Sequence, residues 1–497
     1  MKIHARKAAY AATALLLFAA GLEALSWLAL KAIDAANEFS TVYSHMRGTS
    51  YGTPLLKGSF RIDPELGWDS SSSARGRELK ASGKRYFAAA LGDSMTYAWE
   101  VEHPQSWTFL LGKKLGREIL NMGVNGYGAD QSLLKFEKYA ARFPSEYAVL
   151  GILPDDIGRL LMRMPNLRWR TTDPPFLKPR FRLSGKDLVL VPNPLKDVSE
   201  YSKLLDPEYL SGLLSEDGYY LYHKERYGFD MARGRRFPFT RELFRSAYGL
   251  ARYGRANRWW GSPPEEFYRE GSEAYALMKG IISEFRKKCA AAGSTPVIML
   301  HCDSRSDLYG IGYLDGLISH IKREGMLFIN VRNLFLPELQ KRSVRVDELL
   351  APGGHYSPLA NYIIAGKLAG FFSLLSRRDL PGAAAYLEAA AGVKIDYCRG
   401  HYLAGLSYLE GGECTRPDER LALEHCERAV SLDPGDPGAH AALGKVHAFS
   451  GRIAKARASY LKALSLAPGY KEALAGIERL PARPGAAGAG KAASLWE

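Results

Sequence analysis

Cysteine is scarce in this chain: Cys289, Cys302, Cys398, Cys414 and Cys426 are all there are in 497 residues. They are too few and too scattered for a disulfide scaffold, and none has the CxxC spacing of a structural zinc site. Their odd number leaves at least one thiol outside any intrachain bridge. A glycine-rich phosphate cradle and a clustered His/Cys/Asp/Glu ligand set are also missing, so neither an organic cofactor nor a metal is expected. No DNA- or RNA-binding module is evident, which argues against nucleic acid as a partner. Acidic charge is in deficit, with 67 Lys and Arg against 53 Asp and Glu and a net charge of +14. That excess suits an acidic partner such as anionic lipid or an acidic glycan. Hydrophobic residues make up 46% and charged residues 24%, which excludes wholesale disorder. The length suggests roughly two to four domains.

One long apolar run stands out. Lys2, Arg6 and Lys7 precede Ala8–Leu30, which is interrupted by Glu23 and a few small polar residues. It is long enough to cross a bilayer as a helix, and the basic residues before it hold the N-terminus in the cytoplasm. Residues 1–7 then form a cytoplasmic tail and 8–30 a single-pass signal anchor, with the bulk of the chain extracytoplasmic, periplasmic or extracellular. A cleaved signal peptide with an apolar core at Tyr10–Leu22 is the rival reading. The apolar character resumes after Glu23 and no small-x-small cleavage site is evident, which favours retention.

Residues 31–80 read as a mixed lead-in. Beyond them, apolar runs of strand type at Arg85–Leu91, Glu118–Asn121, Tyr147–Leu153, Pro296–Cys302 and Met326–Val331 alternate with helical patterns at Trp107–Leu115, Gln131–Ala141 and Ala274–Ala290. Such alternation predicts an α/β domain over 81–377, with a parallel sheet covered on both faces. Ligands in such sheets bind outside the carboxyl ends of the strands. Residues 159–266 form an insertion too long for a plain crossover. It carries a hairpin signal over Arg180–Val191 with its turn at Ser184-Gly185, then a run rich in arginine and aromatics. Arg233, Arg235, Arg236, Arg241, Arg245, Arg252, Arg255 and Arg258 face a single acid, Glu242. The run reads as a basic surface for anionic glycan or lipid headgroups, or as a cap with a solvated basic face.

The C-terminal part is internally repeated. Asp433-Pro434 and Ala467-Pro468 close two similar stretches 34 residues apart. Leu443, Gly444, Gly451, Ala456, Tyr460 and Ala463 fall at the small, aromatic and turn positions of a tetratricopeptide repeat, which residues 378–480 resemble. Such an all-α segment implies either a groove for a protein partner or a helical cap on the preceding domain. Residues 481–497 read as a disordered tail.

The chemistry-bearing residues are a serine and a distant histidine. Ser94 follows the strand-like run ending at Leu91, in Gly92-Asp93-Ser94, and His355 stands in Gly353-Gly-His-Tyr-Ser-Pro358 just before a helix. A serine hydroxyl becomes a useful nucleophile when an adjacent imidazole takes its proton. Ser357 and Pro358 read as the cap and first residue of a helix over Pro358–Phe372, which fixes His355 in the loop before it.

Four ordered blocks carry a family resemblance: Leu91-Gly-Asp-Ser-Met-Thr-Tyr-Ala-Trp-Glu-Val101, Leu120-Asn-Met-Gly-Val-Asn-Gly-Tyr-Gly128, Val149-Leu-Gly-Ile-Leu-Pro-Asp-Asp-Ile157 and Gly354-His-Tyr-Ser-Pro358. Over residues 81–377 they resemble the SGNH (GDSL-type) hydrolase superfamily. The resemblance implies a flavodoxin-like three-layer sandwich, with Ser94 as nucleophile and His355 as general base and then acid. It also implies an oxyanion hole from the backbone N–H groups of Ser94 and Gly126. Two positions depart from the family. Asp155, followed by Asp156, stands where the family has an asparagine donor, so Asn125 becomes a substitute candidate. Pro352 and Gly353 stand where the family usually has an aspartate before its histidine. Either a backbone carbonyl orients His355 in a dyad, or an acid comes from elsewhere, with Asp156 or Asp155 favoured over Asp347 and Glu348 for their strand-end position.

The resemblance thus implies an esterase that removes an O-acyl group, acetyl above all, from a carbohydrate or cell-envelope polymer through an acyl-serine. The same chemistry with a sugar hydroxyl as acceptor is an O-acyltransferase. A member that kept the fold without activity would be an anchored scaffold.

Overall fold

The computed structural model describes residues 2–37, 60–70, 84–165, 176–253, 266–302, 312–340, 344–377, 397–410 and 417–481. Residues 378–396 of the repeat-like segment, residues Arg255, Arg258 and Cys414, and most of the C-terminal tail lie outside them. The chain divides into two compact units. One comprises residues 80–127, 136–154 and 282–497, and the other residues 1–79, 128–135 and 155–281.

The first unit is built on a five-stranded parallel sheet of β3 (Tyr86–Leu91), β4 (Ile119–Asn121), β5 (Ser145–Ile152), β8 (Thr295–Leu300) and β9 (Leu327–Asn330), in the order β4-β3-β5-β8-β9. This is the 2-1-3-4-5 order of flavodoxin-like folds, whose switch point lies between β3 and β5. The strands are apolar on both sides, as parallel strands covered on two faces must be. Ala88, Ala90, Val149, Val297, Met299 and Ile329 belong to one core with Trp107, Leu111, Phe335, Ile363 and Phe371. The alternate residues Ala89, Leu91, Ala148, Leu150 and Ile298 are equally buried. All five expected strands are present, each shifted by no more than two residues at an end.

Helices α3 (Trp107–Leu115) and α11 (Pro358–Ser376) supply much of that core. Ser106 caps the first, and Gly116 ends it in the left-handed region. Ser357 caps the second with Pro358 as its first residue, as the sequence predicts. Helices α12 (Tyr397–Glu410), α13 (Glu419–Leu432), α14 (Pro437–Phe449), α15 (Ile453–Leu466) and α16 (Lys471–Glu478) follow. The 34-residue offset recurs in the backbone. Asp433 ends α13 at φ −142°, ψ 92°, and Ala467 ends α15 at φ −143°, ψ 95°. Ala404 of α12 belongs to the sheet core, and Ser407 donates to Gln105 at 2.8 Å, so this first helix is part of the sheet domain's own packing.

In the second unit, α1 runs unbroken over Lys2–Ala36. The lead-in is not merely a linker, for it contains an antiparallel hairpin of β1 (Phe60–Asp63) and β2 (Gly67–Ser70). Trp68 of that hairpin stacks on Phe176 at 4.6 Å, and its Asp69 pairs with the buried Lys135. The expected hairpin in the insertion is present as β6 (Arg180–Ser184) and β7 (Asp187–Val191). Helices α5 (Pro207–Leu214), α6 (Gly218–Tyr227) and α7 (Phe239–Tyr253) complete the insertion, around a core of Met162, Leu177, Tyr201, Leu210 and Tyr220. Helix α4 (Ala129–Tyr139) and helix α8 (Glu273–Ala291) each contribute residues to both units.

Candidate active site

Strand β3 delivers Ser94 to the carboxyl end of the sheet through a sharp turn. Gly92 has φ +152°, and a Cβ there would lie 2.2 Å from Thr96 Oγ1. Asp93 then caps the short helix α2 (Ser94–Tyr97), its carboxylate accepting from the N–H groups of Met95 and Thr96. Ser94 opens this helix, 7% exposed. Ala98 ends it in the left-handed region at φ 62°, ψ 62°, a strained state for a residue with a Cβ. The chain turns there toward Trp99 and Glu100.

The loop after β4 runs beside this elbow. Met122 N–H donates to Ala90 O at 2.7 Å and Val124 N–H to Gly92 O at 2.9 Å. Asn121 fastens the two loops together, donating to Thr96 O at 2.9 Å and accepting from Gly123 N–H at 3.0 Å. Asn125 and Gly126 form the centre of a turn closed by Tyr127 N–H on Val124 O at 3.1 Å, with Gly126 at φ +80°. The backbone N–H groups of Ser94 and Gly126 make no hydrogen bond to a described residue.

His355 is held to the same elbow. Its Nδ1 lies 2.8 Å from Glu100 Oε1, and Gly353 N–H donates to Glu100 Oε2 at 3.2 Å. A carboxylate only accepts, so the proton between them belongs to Nδ1 and the Nε2 lone pair is left for base chemistry. The Glu100 side chain is 4% exposed and that of His355 23%. Ala351 N–H on His355 O at 2.8 Å and Ser357 N–H on Leu349 O at 3.0 Å close the loop. Asn361 ties it to α3, donating to Tyr356 O and accepting from Trp107 N–H.

A second bridge passes through a histidine that sequence reasoning overlooked. His301, just past β8, places Nε2 at 3.2 Å from Thr96 Oγ1 and Nδ1 at 3.3 Å from Tyr356 Oη. Burial depresses its pKa to about 4, so it stays neutral. Thr96 is two residues from Ser94 and Tyr356 is next to His355. Two independent contacts therefore bring the serine elbow and the histidine loop together at one end of the sheet.

The acid on His355 is not one that the sequence singles out. Asp156 or Asp155 was the expectation, and the carboxylate found on the ring is Glu100. Asp156 is buried in the 3-10 helix Pro154–Leu161, where it forms an ion pair with Arg159 one turn on. Asp155 lies in the same helix, and its side chain is outside the described residues. Asp347 is engaged by Arg345, and Glu348 accepts from Arg345 N–H at 2.7 Å. A Cβ on Gly353 would sit 2.0 Å from Glu100 Oε1. Glu100 thus fills the space that a side chain at that position would take. The absence of a side chain two residues before His355 was the available signal. Among the described residues no group of three or more His, Cys, Asp or Glu is placed to hold a metal ion.

No protein-family model matches the chain, and no curated protein matches it either. The chain is similar to solved structures that include a lipolytic protein and a hydrolase. A protein of the G-D-S-L lipolytic family from Desulfitobacterium hafniense DCB-2 shares 11% identity over 57% of this chain and 98% of its own, with a TM-score of 0.28. TesA shares 10% over 58% and 97%, with a TM-score of 0.26. LAE5, an α/β hydrolase enzyme from the metagenome of Lake Arreo, Spain, shares 12% over 59% and 96%, with a TM-score of 0.29. Scores this low leave the reading of function to the site's own geometry.

Proposed function

We propose that this chain is a membrane-anchored serine esterase that works outside the cytoplasm, removing O-acyl groups, acetyl first among them, from a carbohydrate or envelope polymer. The observation that carries the reading is the Glu100–His355 contact beside the Ser94 elbow. Ser94 Oγ attacks the ester carbonyl while His355 Nε2 takes its proton. Glu100 stabilises the imidazolium that forms, and the N–H groups of Ser94 and Gly126 receive the developing oxyanion. His355 then returns the proton to the departing sugar oxygen, leaving an acyl-serine. Water, deprotonated by His355, attacks that ester in turn and frees Ser94.

Support for the anchor comes from α1, whose Leu15, Leu16, Leu17 and Phe18 are each 68–71% exposed and suit lipid rather than water. Among the described residues Pro358–Ser376 is also apolar and long enough to span, but it is a core helix with 72% of its most apolar stretch buried. The paired helices after α12 would present a face to a protein partner.

A fluorophosphonate probe tests the reading. Labelling of the wild type that is lost in Ser94→Ala and in His355→Ala supports it, and equal labelling of all three contradicts it. Release of p-nitrophenol from a short-chain ester, with and without a glycan acceptor, distinguishes hydrolysis from transfer. Acyl groups gained by intact acceptor would assign the chain to the transferases.

A further inference from the structure

The basic, aromatic stretch of the insertion is joined to the apolar helix at a depth that a bilayer would cover. The carboxylate of Glu23 accepts from the N–H groups of Phe239 and Thr240 and from the Thr240 hydroxyl, at the start of α7. Eleven residues further along α1, Asp34 is paired with Arg235, Nη2 to Oδ1 at 2.6 Å. The two contacts lie about 16 Å apart along α1, at 1.5 Å of rise per residue, a distance that residues 235–239 cover together with the Arg235 side chain.

The charged residues flanking the apolar run set the scale. Lys7 and Lys31 are exposed and lie about 36 Å apart along the helix, enough to flank a hydrocarbon core of about 30 Å. Lys31 Nζ sits over the Trp27 ring at 5.4 Å, a pairing suited to the outer interface. Glu23 is about 12 Å below Lys31, and so within the apolar layer. A carboxylate there needs donors, and the first turn of α7 provides three. The face of α1 formed by Glu23, Ser26, Leu30, Ile33 and Asn37 is covered, while Leu15 to Phe18 remain open.

Helix α7 is firmly seated on its other side. Ser246 Oγ donates to Tyr227 O at 2.8 Å, and a Cβ on Gly249 would lie 2.0 Å from Arg226 O. Its outward edge is fixed as a result. Phe244 and Tyr248, one turn apart on α7, are 77% and 69% exposed, and Phe237 just before the helix is 74% exposed. Exposed Arg241, Arg245 and Arg252 form the adjoining line. Aromatic side chains of this size left open beside a spanning helix, flanked by arginines, match the acyl–headgroup boundary of an anionic membrane.

We propose that α7 is a membrane-contacting helix. Its Phe237, Phe244 and Tyr248 edge enters the outer leaflet beside α1, and its arginine line takes anionic phospholipid headgroups. The inference rests on α1 being a membrane anchor, and the test separates the two. The full chain carries Cys414→Ser, the other four cysteines being buried. A fluorophore is placed at Phe244→Cys or, separately, at Leu16→Cys, and each protein is reconstituted into vesicles of phosphatidylcholine with phosphatidylglycerol. Nitroxide-bearing lipids should quench both labels, and aqueous iodide should quench the Phe244 label at least about twofold less than in detergent-free buffer-exposed controls such as Lys186→Cys. Arg241→Gln with Arg252→Gln should weaken lipid quenching at Phe244 in these vesicles and not in pure phosphatidylcholine. Lipid quenching at Leu16 with none at Phe244 overturns the inference and leaves the anchor standing. Lipid quenching at neither position removes both.

Discussion

Glu100→Gln is the substitution that bears hardest on the proposed chemistry. It preserves shape and removes the charge that faces His355 Nδ1 at 2.8 Å. A hydrogen bond to a charged partner is worth about 1.5–3 kcal/mol, which alone slows turnover roughly 10- to 150-fold. The amide can also turn its NH2 toward the ring, moving the imidazole proton to Nε2 and disabling the base. Together these predict a kcat lowered by about 10³–10⁴, with KM nearly unchanged because the Glu100 carboxylate is buried against His355. The partner position gives the reciprocal test. Gly353 does not have a positive φ, and the atoms nearest to a Cβ built there all belong to the Glu100 carboxyl group. Gly353→Ala should therefore displace the carboxylate and lose activity, while Glu100→Ala with Gly353→Asp should recover at least about tenfold over Glu100→Ala alone. Turnover of p-nitrophenyl acetate reads all four proteins. Wild-type kcat in Glu100→Gln would refute the orienting role, and a fully active Gly353→Ala would refute the argument from space.

Stability should depend on pH through buried neutral histidines. Burial lowers the pKa of His301 to about 4, of His401 to about 3 and of His425 to about 4, the last two with their Nδ1 atoms 3.0 Å apart. The unfolded chain binds their protons below about pH 6.5 and the folded chain does not, so stability is lost as pH falls from about 6.5 toward 4, at up to about 1.4 kcal/mol per pH unit for each. Thermal melts across that range should show a falling Tm, shallower in His425→Asn, and a flat or rising Tm would contradict this. Lys178→Ala should cost about 3–5 kcal/mol in chemical denaturation, because it strands the buried Asp130 carboxylate. Ala98→Gly should be neutral or stabilising by up to about 1 kcal/mol, since it relieves the left-handed alanine.

How far the chain could be read in advance follows from how local each signal is. The five parallel strands are short apolar runs between helical patterns, and each was visible as such. Ser94 and His355 were legible because the turn before one and the helix cap after the other are encoded within a few residues. Glu100 stands within the first block but its role was not legible, since it reaches His355 across 255 residues of sequence. Asp156 drew attention by its position after β5, but an arginine three residues on takes its charge. His301 reads in sequence as any strand-end histidine until its two partners are placed. The hairpin at residues 60–70 has strands of four residues each, too short for a period to stand out. In the insertion the arginines were plain, while the placing of Phe244 and Tyr248 on one open edge came only from α7 and its packing.

The most direct measurement is the capture of the acyl-enzyme. The protein is mixed with p-nitrophenyl acetate, quenched in acid during the first turnover and digested for peptide mass mapping. The account predicts one added acetyl group on Ser94 in the wild type, and none there in His355→Ala. Acetyl on another residue, or its absence from Ser94 while p-nitrophenol is released, would contradict it.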